Sequence, residues 1–152
     1  MKDYNKYSKL VVRSVNHIFK NFLKDPSIKE ILVSQAGDDD PRVSIEIDGS
    51  LKGELIICFP GDTLNHITKF FFKGSAARSL KKHYEEVAGE IANLVTGTFA
   101  NQLQFDNMDV RLSAPEFNDD TKTMRMLYTT VNLSFESGFG GFDVNLYYRA
   151  GE

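Results

Sequence analysis

Glu90 and Asn93, three residues apart, are the pair in this chain whose types and spacing suit chemistry. A carboxylate pairs with a cation. A primary amide both accepts and donates hydrogen bonds, so it can hold a water molecule in a set orientation. On a helix, side chains three residues apart are neighbours on one face. Segment 84–103 has the pattern of such a helix. At 100° per residue, Tyr84, Val87, Ala88, Ile91, Leu94, Val95, Thr98, Phe99 and Gln102 fall within an arc of about 140°, the expected buried face. Glu86, Glu90, Asn93 and Gly97 gather on the opposite side.

Gly97 is the informative member of that group. A glycine inside a helix costs roughly 1 kcal/mol relative to alanine. A bare helix surface there would let another protein's backbone approach and would leave Asn93 projecting with no neighbour in the way. Residue chemistry leaves two readings open. Glu90 and Asn93 are either an ordinary solvated helix face, with Gly97 packed on a local strand or loop, or an interaction site.

The elements that must present this face follow from periodicity. Segment 4–24 has helical spacing, with Tyr7, Leu10, Val11, Val15, Ile18, Phe19, Phe22 and Leu23 on one face, and Asp25-Pro26 ends it. Segment 28–34 is a short strand candidate, and 37–41 is a loop. Val43, Ile45 and Ile47 alternate with polar residues, so 42–59 reads as a hairpin turning at Asp48-Gly49-Ser50. Pro60-Gly61 closes it, and Asp62 or Thr63 is expected to cap a helix over 64–72. Gly74-Ser75 breaks that helix, and Ser75 is placed to cap the long one that runs to about residue 103. Segment 108–113 alternates as a strand and stops at Pro115, 116–122 reads as a polar loop, and 126–135 with 142–148 forms a second long hairpin around the glycines of 137–141. A shift of 88 residues aligns Val43 with Val131, Ile45 with Leu133, Ile47 with Phe135 and Gly53 with Gly141, which suggests a duplicated strand–strand unit. The expected fold class is α+β: a mainly antiparallel sheet with three helices packed against it, over 1–152 as a single domain.

The segment Gly89-Glu90-Ile91-Ala92-Asn93-Leu94-Val95-Thr96-Gly97 resembles the E-x-x-N-x-x-x-G signature of the CheX/CheC/FliY chemotaxis phosphatases. Thr98-Phe99-Ala100-Asn101-Gln102-Leu103 resembles the rest of the same helix, Val110-Arg111-Leu112-Ser113-Ala114-Pro115 the strand ending in Ser-x-Pro that follows it, and 43–59, with Gly49 and Gly53, the upstream hairpin. The likeness runs along nearly the whole chain in order and spacing. One copy of the motif is present; the first helix has Asn16 and Asn21 but no Glu-x-x-Asn pair, which is similar to CheX rather than CheC. The departure is Thr98, where many relatives have Asn after the Gly. The resemblance implies a CheC/CheX-like fold, a homodimer whose sheet is continued across the two copies, and a phosphatase acting on the aspartyl phosphate of a CheY-like response regulator. In that role Asn93 would orient the attacking water, Glu90 would pair with the regulator's active-site lysine, and Glu86 and Gly97 would lie on the partner-binding surface. It implies no cofactor of the chain's own, because the regulator supplies Mg²⁺. A non-catalytic receiver-binding adaptor and a structural dimer module of the motility machinery are the competing functions.

Bulk properties narrow the classes further. A net charge of −3 and a pI near 5.6, with scattered basic residues, argue against nucleic-acid binding. The longest apolar run, 55–59, is far too short to span a bilayer, and no apolar segment follows the N-terminus, so a cytoplasmic protein is expected. The lone Cys58 reads as a small buried hydrophobe. His17, His66 and His83 share no metal-type spacing, and no metal site is expected; His17 and His66 read as half-buried helix residues. The Asp38-Asp39-Asp40 run lacks the calcium-loop pattern, and no helix follows Gly138-Phe139-Gly140-Gly141 to make a nucleotide site. Phe70-Phe71-Phe72 is assigned to core and interface.

Overall fold

A computed structural model describes residues 2–73, 80–118 and 127–151, with side chains from residue 6 onward. The proposed break at Gly74, the Ser75 cap, the later part of the 116–122 loop and Met126 lie outside the described residues.

Helix α1, Lys2–Asn21, buries Val11, Val15, Ile18 and Phe19 completely or nearly so, the i, i+4, i+7, i+8 stripe of an amphipathic helix. It stops before the expected proline boundary. Lys24 takes the left-handed conformation (φ +57°), and the Asp25 amide donates back to the Phe19 carbonyl at 2.9 Å, which satisfies a terminal carbonyl. Helix α2, Gly61–Phe71, starts earlier than the sequence suggested. Neither Asp62 nor Thr63 caps it; Thr63 is 3% exposed and donates its hydroxyl to the Gly141 carbonyl at 2.7 Å, tying α2 to the sheet. A 3-10 turn, Lys81–His83, leads into α3, Tyr84–Gln104, so the expected long helix is interrupted at 81–83.

The strands are β1 (Lys29–Ile31), β2 (Arg42–Gly49), β3 (Leu51–Cys58), β4 (Val110–Leu112), β5 (Glu116–Phe117), β6 (Thr129–Ser137) and β7 (Gly140–Ala150). They form one sheet in the order β1-β6-β7-β3-β2-β4, every pairing antiparallel, with β5 also on β2. The two hairpins therefore meet through their second strands, β3 and β7. Their registers are Val43↔Ile57 and Val131↔Leu146, so the first strands correspond at a shift of 88 and the second at 89. Gly53 and Gly141 are consequently not equivalent. Gly53 is required by close approach, because a Cβ there would overlap the Tyr147 carbonyl oxygen of β7.

Segment 116–117 was expected in a polar loop and is instead a strand. Val43 pairs with Phe117 and Ser44 with Glu116. The Asn118 amide donates to the Arg42 carbonyl (2.7 Å), while the Arg42 amide donates to the Asn118 side chain (3.0 Å). Ser113 makes the matching contacts to Glu46 upstream, donating its amide to the Glu46 carbonyl and accepting the Glu46 amide on its hydroxyl. Polarity concealed this element: a two-residue edge strand has too few positions to show a period.

One sheet face carries Val43, Ile45, Ile47, Leu55, Ile57, Val131, Phe135, Val144 and Leu146, all 3% exposed or less, and the helices pack on it. Stacked rings (Phe19 on Phe142 at 4.9 Å, Phe135 on Phe142 at 5.3 Å) and the edge-on Tyr7–Tyr148 pair at 4.7 Å fill the space between α1 and the sheet. Cys58 is half-buried rather than buried, because alternation turns it to the other face when Ile57 faces the core. His17 and His66 are exposed, and the latter binds the Phe139 carbonyl through Nδ1 at 3.0 Å.

Candidate functional site

Helix α3 is locked along one side. Val87, Ala88, Ile91, Val95, Phe99 and Leu103 are at most 2% exposed, packed on α1, α2 and β2. The buried face is wider than the periodicity implied: Gly89, Ala92 and Thr96 are buried too, while Tyr84, Leu94, Thr98 and Gln102 are half-buried at its margins. The Tyr84 hydroxyl donates to the Asn65 side chain at 2.8 Å, which joins the start of α3 to α2. Burial, together with the negative charge of Asp62, pushes the Tyr84 phenol above its usual pKa.

Glu86, Glu90 and Asn93 are exposed on the remaining strip of the helix, and Gly97 is half-buried. Neither Glu90 nor Asn93 has a hydrogen-bond or ion-pair partner among the described residues. Glu86 lies 3.4 Å from His83 Nδ1, a charge pair only when that imidazole is protonated. A Cβ built at Gly97 meets nothing within 4 Å among the described residues. Internal packing therefore does not explain that glycine.

The structure gathers Glu86, Glu90 and Asn93 along a groove of about 320 Å³ whose other lining residues are Glu85, Gly89, Val43, Pro115 and Phe117. Gly97 lies off this groove. Sequence reasoning gave no role to Glu85 or Phe117. The opposite wall exists because β4 and β5 are held on β2 at both ends of the Ala114-Pro115 step, which turns Pro115 toward α3. A Cβ on Gly89 would lie 3.3 Å from Pro115 Cγ, so here the glycine does admit a close neighbour. A hydrophobic residue two past a Ser-x-Pro step was the available signal for Phe117.

A larger cleft of about 410 Å³ lies on the other sheet face, lined in part by Cys58, Asn132, Asn145 and Asp143. Asp143 is occupied structurally: it accepts from the Ser34 hydroxyl and from the amides of Gln35 and Ala36 at 2.7–3.1 Å, fastening that loop to the sheet. None of the predicted site residues lines this cleft. Among the described residues, no cluster of three or more His, Cys, Asp or Glu is arranged to hold a metal ion, and no helix is long and apolar enough to cross a membrane.

Known proteins share the fold at low identity. The chain superposes on CheX in the CheX-CheY-BeF3-Mg²⁺ complex from Borrelia burgdorferi with a TM-score of 0.76 at 16% identity, covering 94% of this chain and 97% of that one. For CheX from Vibrio vulnificus the TM-score is 0.76 at 17% identity, covering 94% and 96%. For FliY from Thermotoga maritima it is 0.62 at 14% identity, covering 95% and 86%. No curated protein matches the chain by sequence. The family model described as chemotaxis phosphatase CheX matches residues 42–132, the stretch that contains the whole groove, and the chain belongs to that family.

Proposed function

We propose that residues 1–152 act as one cytoplasmic phosphatase domain that hydrolyses the aspartyl phosphate of a CheY-like response regulator. The observation that carries this reading is the pair of outward, unpartnered side chains Glu90 and Asn93 on a helix immobilised by its other flank. Phosphoryl transfer asks mainly for positioning and charge stabilisation. The receiver brings the phosphoryl group, Mg²⁺ and a lysine. The missing part is a water held in line with phosphorus. Asn93, inserted beside the phosphoryl group, accepts a hydrogen bond from that water through Oδ1 and donates through Nδ2. Its short stem leaves few rotamers to freeze. Glu90 pairs with the receiver's lysine and sets the register of the two proteins; neither residue acts as a general base. Glu86 and Gly97 belong to the surface that meets the receiver. The chain contributes no metal of its own and works as a homodimer. The similar protein from Borrelia burgdorferi, whose structure is a CheX-CheY-BeF3-Mg²⁺ complex, supports this choice of partner.

The test follows the decay of phosphorylated receivers from the same genome with and without the protein. Asn93→Ala should keep the fold and receiver binding while losing roughly 10²–10³ in rate, the loss typical of deleting one positioned donor or acceptor. Undiminished activity in that variant overturns the mechanism. Binding without any shortening of the phosphoryl lifetime would make the wild-type protein an adaptor. Binding that is absent or indifferent to phosphorylation would leave a structural module.

A further inference from the structure

We infer that the groove beside Glu90 and Asn93 is a second recognition site, which takes a long cationic side chain, lysine or arginine, from the receiver's docking face outside its active site. The inference rests on the phosphatase reading above and extends it from catalysis to partner choice.

Three observations converge on this occupant. The floor and far wall of the groove are apolar: Val43, Gly89, Pro115 and Phe117. The near rim carries three carboxylates, Glu85, Glu86 and Glu90, all exposed. No lysine or arginine forms an ion pair with any of the three among the described residues; the sole counter-group is His83, 3.4 Å from Glu86. The start of α3 offsets part of this charge, because a helix N-terminus carries about +0.5 of an elementary charge. With Glu90 assigned to the receiver's active-site lysine, Glu85 and Glu86 still carry two full negative charges, about fourfold that offset. The rim therefore stays anionic beside a hydrophobic trough.

This combination suits an aliphatic cation better than the alternatives. A hydrophobic side chain would fill the trough but strand the carboxylates at a drying interface. A bare divalent ion would need a cage of oxygen ligands, and no such cluster exists among the described residues. Lysine and arginine have methylene stems that lie along apolar surface while their heads reach polar groups. Phe117 in the lining is an aromatic group of the kind that attracts a nearby cation. The wall is rigid enough to discriminate, because backbone pairing to β2 holds it on both sides of Pro115. Receivers that lack a cation at the matching position leave the rim unpaired and are disfavoured.

The probe is a set of receiver domains from the same genome, each activated with beryllofluoride, with affinity for the full chain measured by calorimetry. The double variant Glu85→Gln, Glu86→Gln keeps side-chain size on an exposed helix turn, and Asn93→Ala serves as the comparison. The double variant should bind its best receiver about tenfold more weakly, the loss expected for two partly desolvated charge contacts, with a shallower salt dependence. Changing the receiver's surface lysines and arginines to glutamine one at a time should reveal one whose loss costs wild type a similar factor and costs the double variant almost nothing. Unchanged affinity in the double variant, or no such coupled residue, overturns the second site while leaving the Glu90–Asn93 mechanism standing. Full turnover by Asn93→Ala overturns the mechanism instead, and failure of the wild-type chain to bind any activated receiver removes both.

Discussion

Gly97→Ala should make the protein more stable and a worse binder at once. Position 97 lies well inside α3, more than one turn from either end, and its φ is not positive. Alanine therefore fits the backbone without strain. The added methyl meets nothing within 4 Å among the described residues. The full propensity difference should appear, about 0.5–1 kcal/mol in favour of alanine, much of it through the unfolded chain's lost freedom. For a domain of this size each 1 kcal/mol moves Tm by about 2–4 °C. A rise of roughly 1–4 °C is thus expected by circular dichroism or calorimetric melting. The opposite sign is expected for binding. If a receiver's backbone rests on the bare helix at Gly97, a methyl there overpacks the contact, which typically costs about 1–3 kcal/mol, or five- to 150-fold in affinity. Titration with a beryllofluoride-activated receiver measures it. A lowered Tm refutes the open-space reasoning. A raised Tm with unchanged affinity removes Gly97 from the interface and leaves its glycine unexplained.

Four other outcomes follow from the same geometry. Glu90→Ala should weaken binding to an activated receiver by about 2 kcal/mol or more, since a hydrogen-bonded charge pair is broken at a desolvated contact; equal affinity would discard the lysine pairing. Gly89→Ala must displace Pro115 from 3.3 Å, so unlike Gly97→Ala it should give no gain in Tm, and a gain would show the wall to be loose. Gly53→Ala drives a methyl onto the Tyr147 carbonyl between the central strands and should cost on the order of 3 kcal/mol, a Tm drop of about 10 °C; a native-like melt would contradict the close approach. Asp143→Ala strips the acceptor from the Ser34 hydroxyl and two backbone amides and should lower stability by about 2–3 kcal/mol in urea unfolding, with Asp143→Asn milder.

The parts of the fold that could be read from the chain were those with enough residues to show a period. α1, the two hairpins and α3 each repeat their pattern over several turns or pleats, and each lies close to its expected place. The misplacements occur where long-range contacts decide. Thr63 looks like a cap but finds the Gly141 carbonyl, and α1 ends at Lys24's left-handed turn before proline can end it. Cys58 follows strand alternation to the half-exposed side although its neighbours are apolar. For the site, a helical wheel sufficed to turn Glu86, Glu90 and Asn93 outward, because that depends on one element. The groove depends on three elements and was not readable: Phe117 reaches α3 only because β5 pairs with β2, and no local pattern encodes a pairing between residues 43 and 117.

The two glycines of α3 show why position, rather than residue type, carries the functional argument. Gly89 and Gly97 pay the same helical penalty in the same helix. At Gly89 the penalty has a use within the chain, since a side chain there would press on Pro115, whose ring walls the groove on that side. At Gly97 nothing in the described residues occupies the space. Along the helix the two bracket Glu90 and Asn93. One end of the polar strip is thus fixed from inside by a strand wall, while the other is left clear. On the proposed reading, a partner approaching the strip meets a walled, acidic groove at the N-terminal end and bare backbone at the C-terminal end, an asymmetry that favours one orientation over its reverse. On the same reading, that orientation places its phosphoryl group over Asn93 rather than over the equally exposed residues elsewhere on α3.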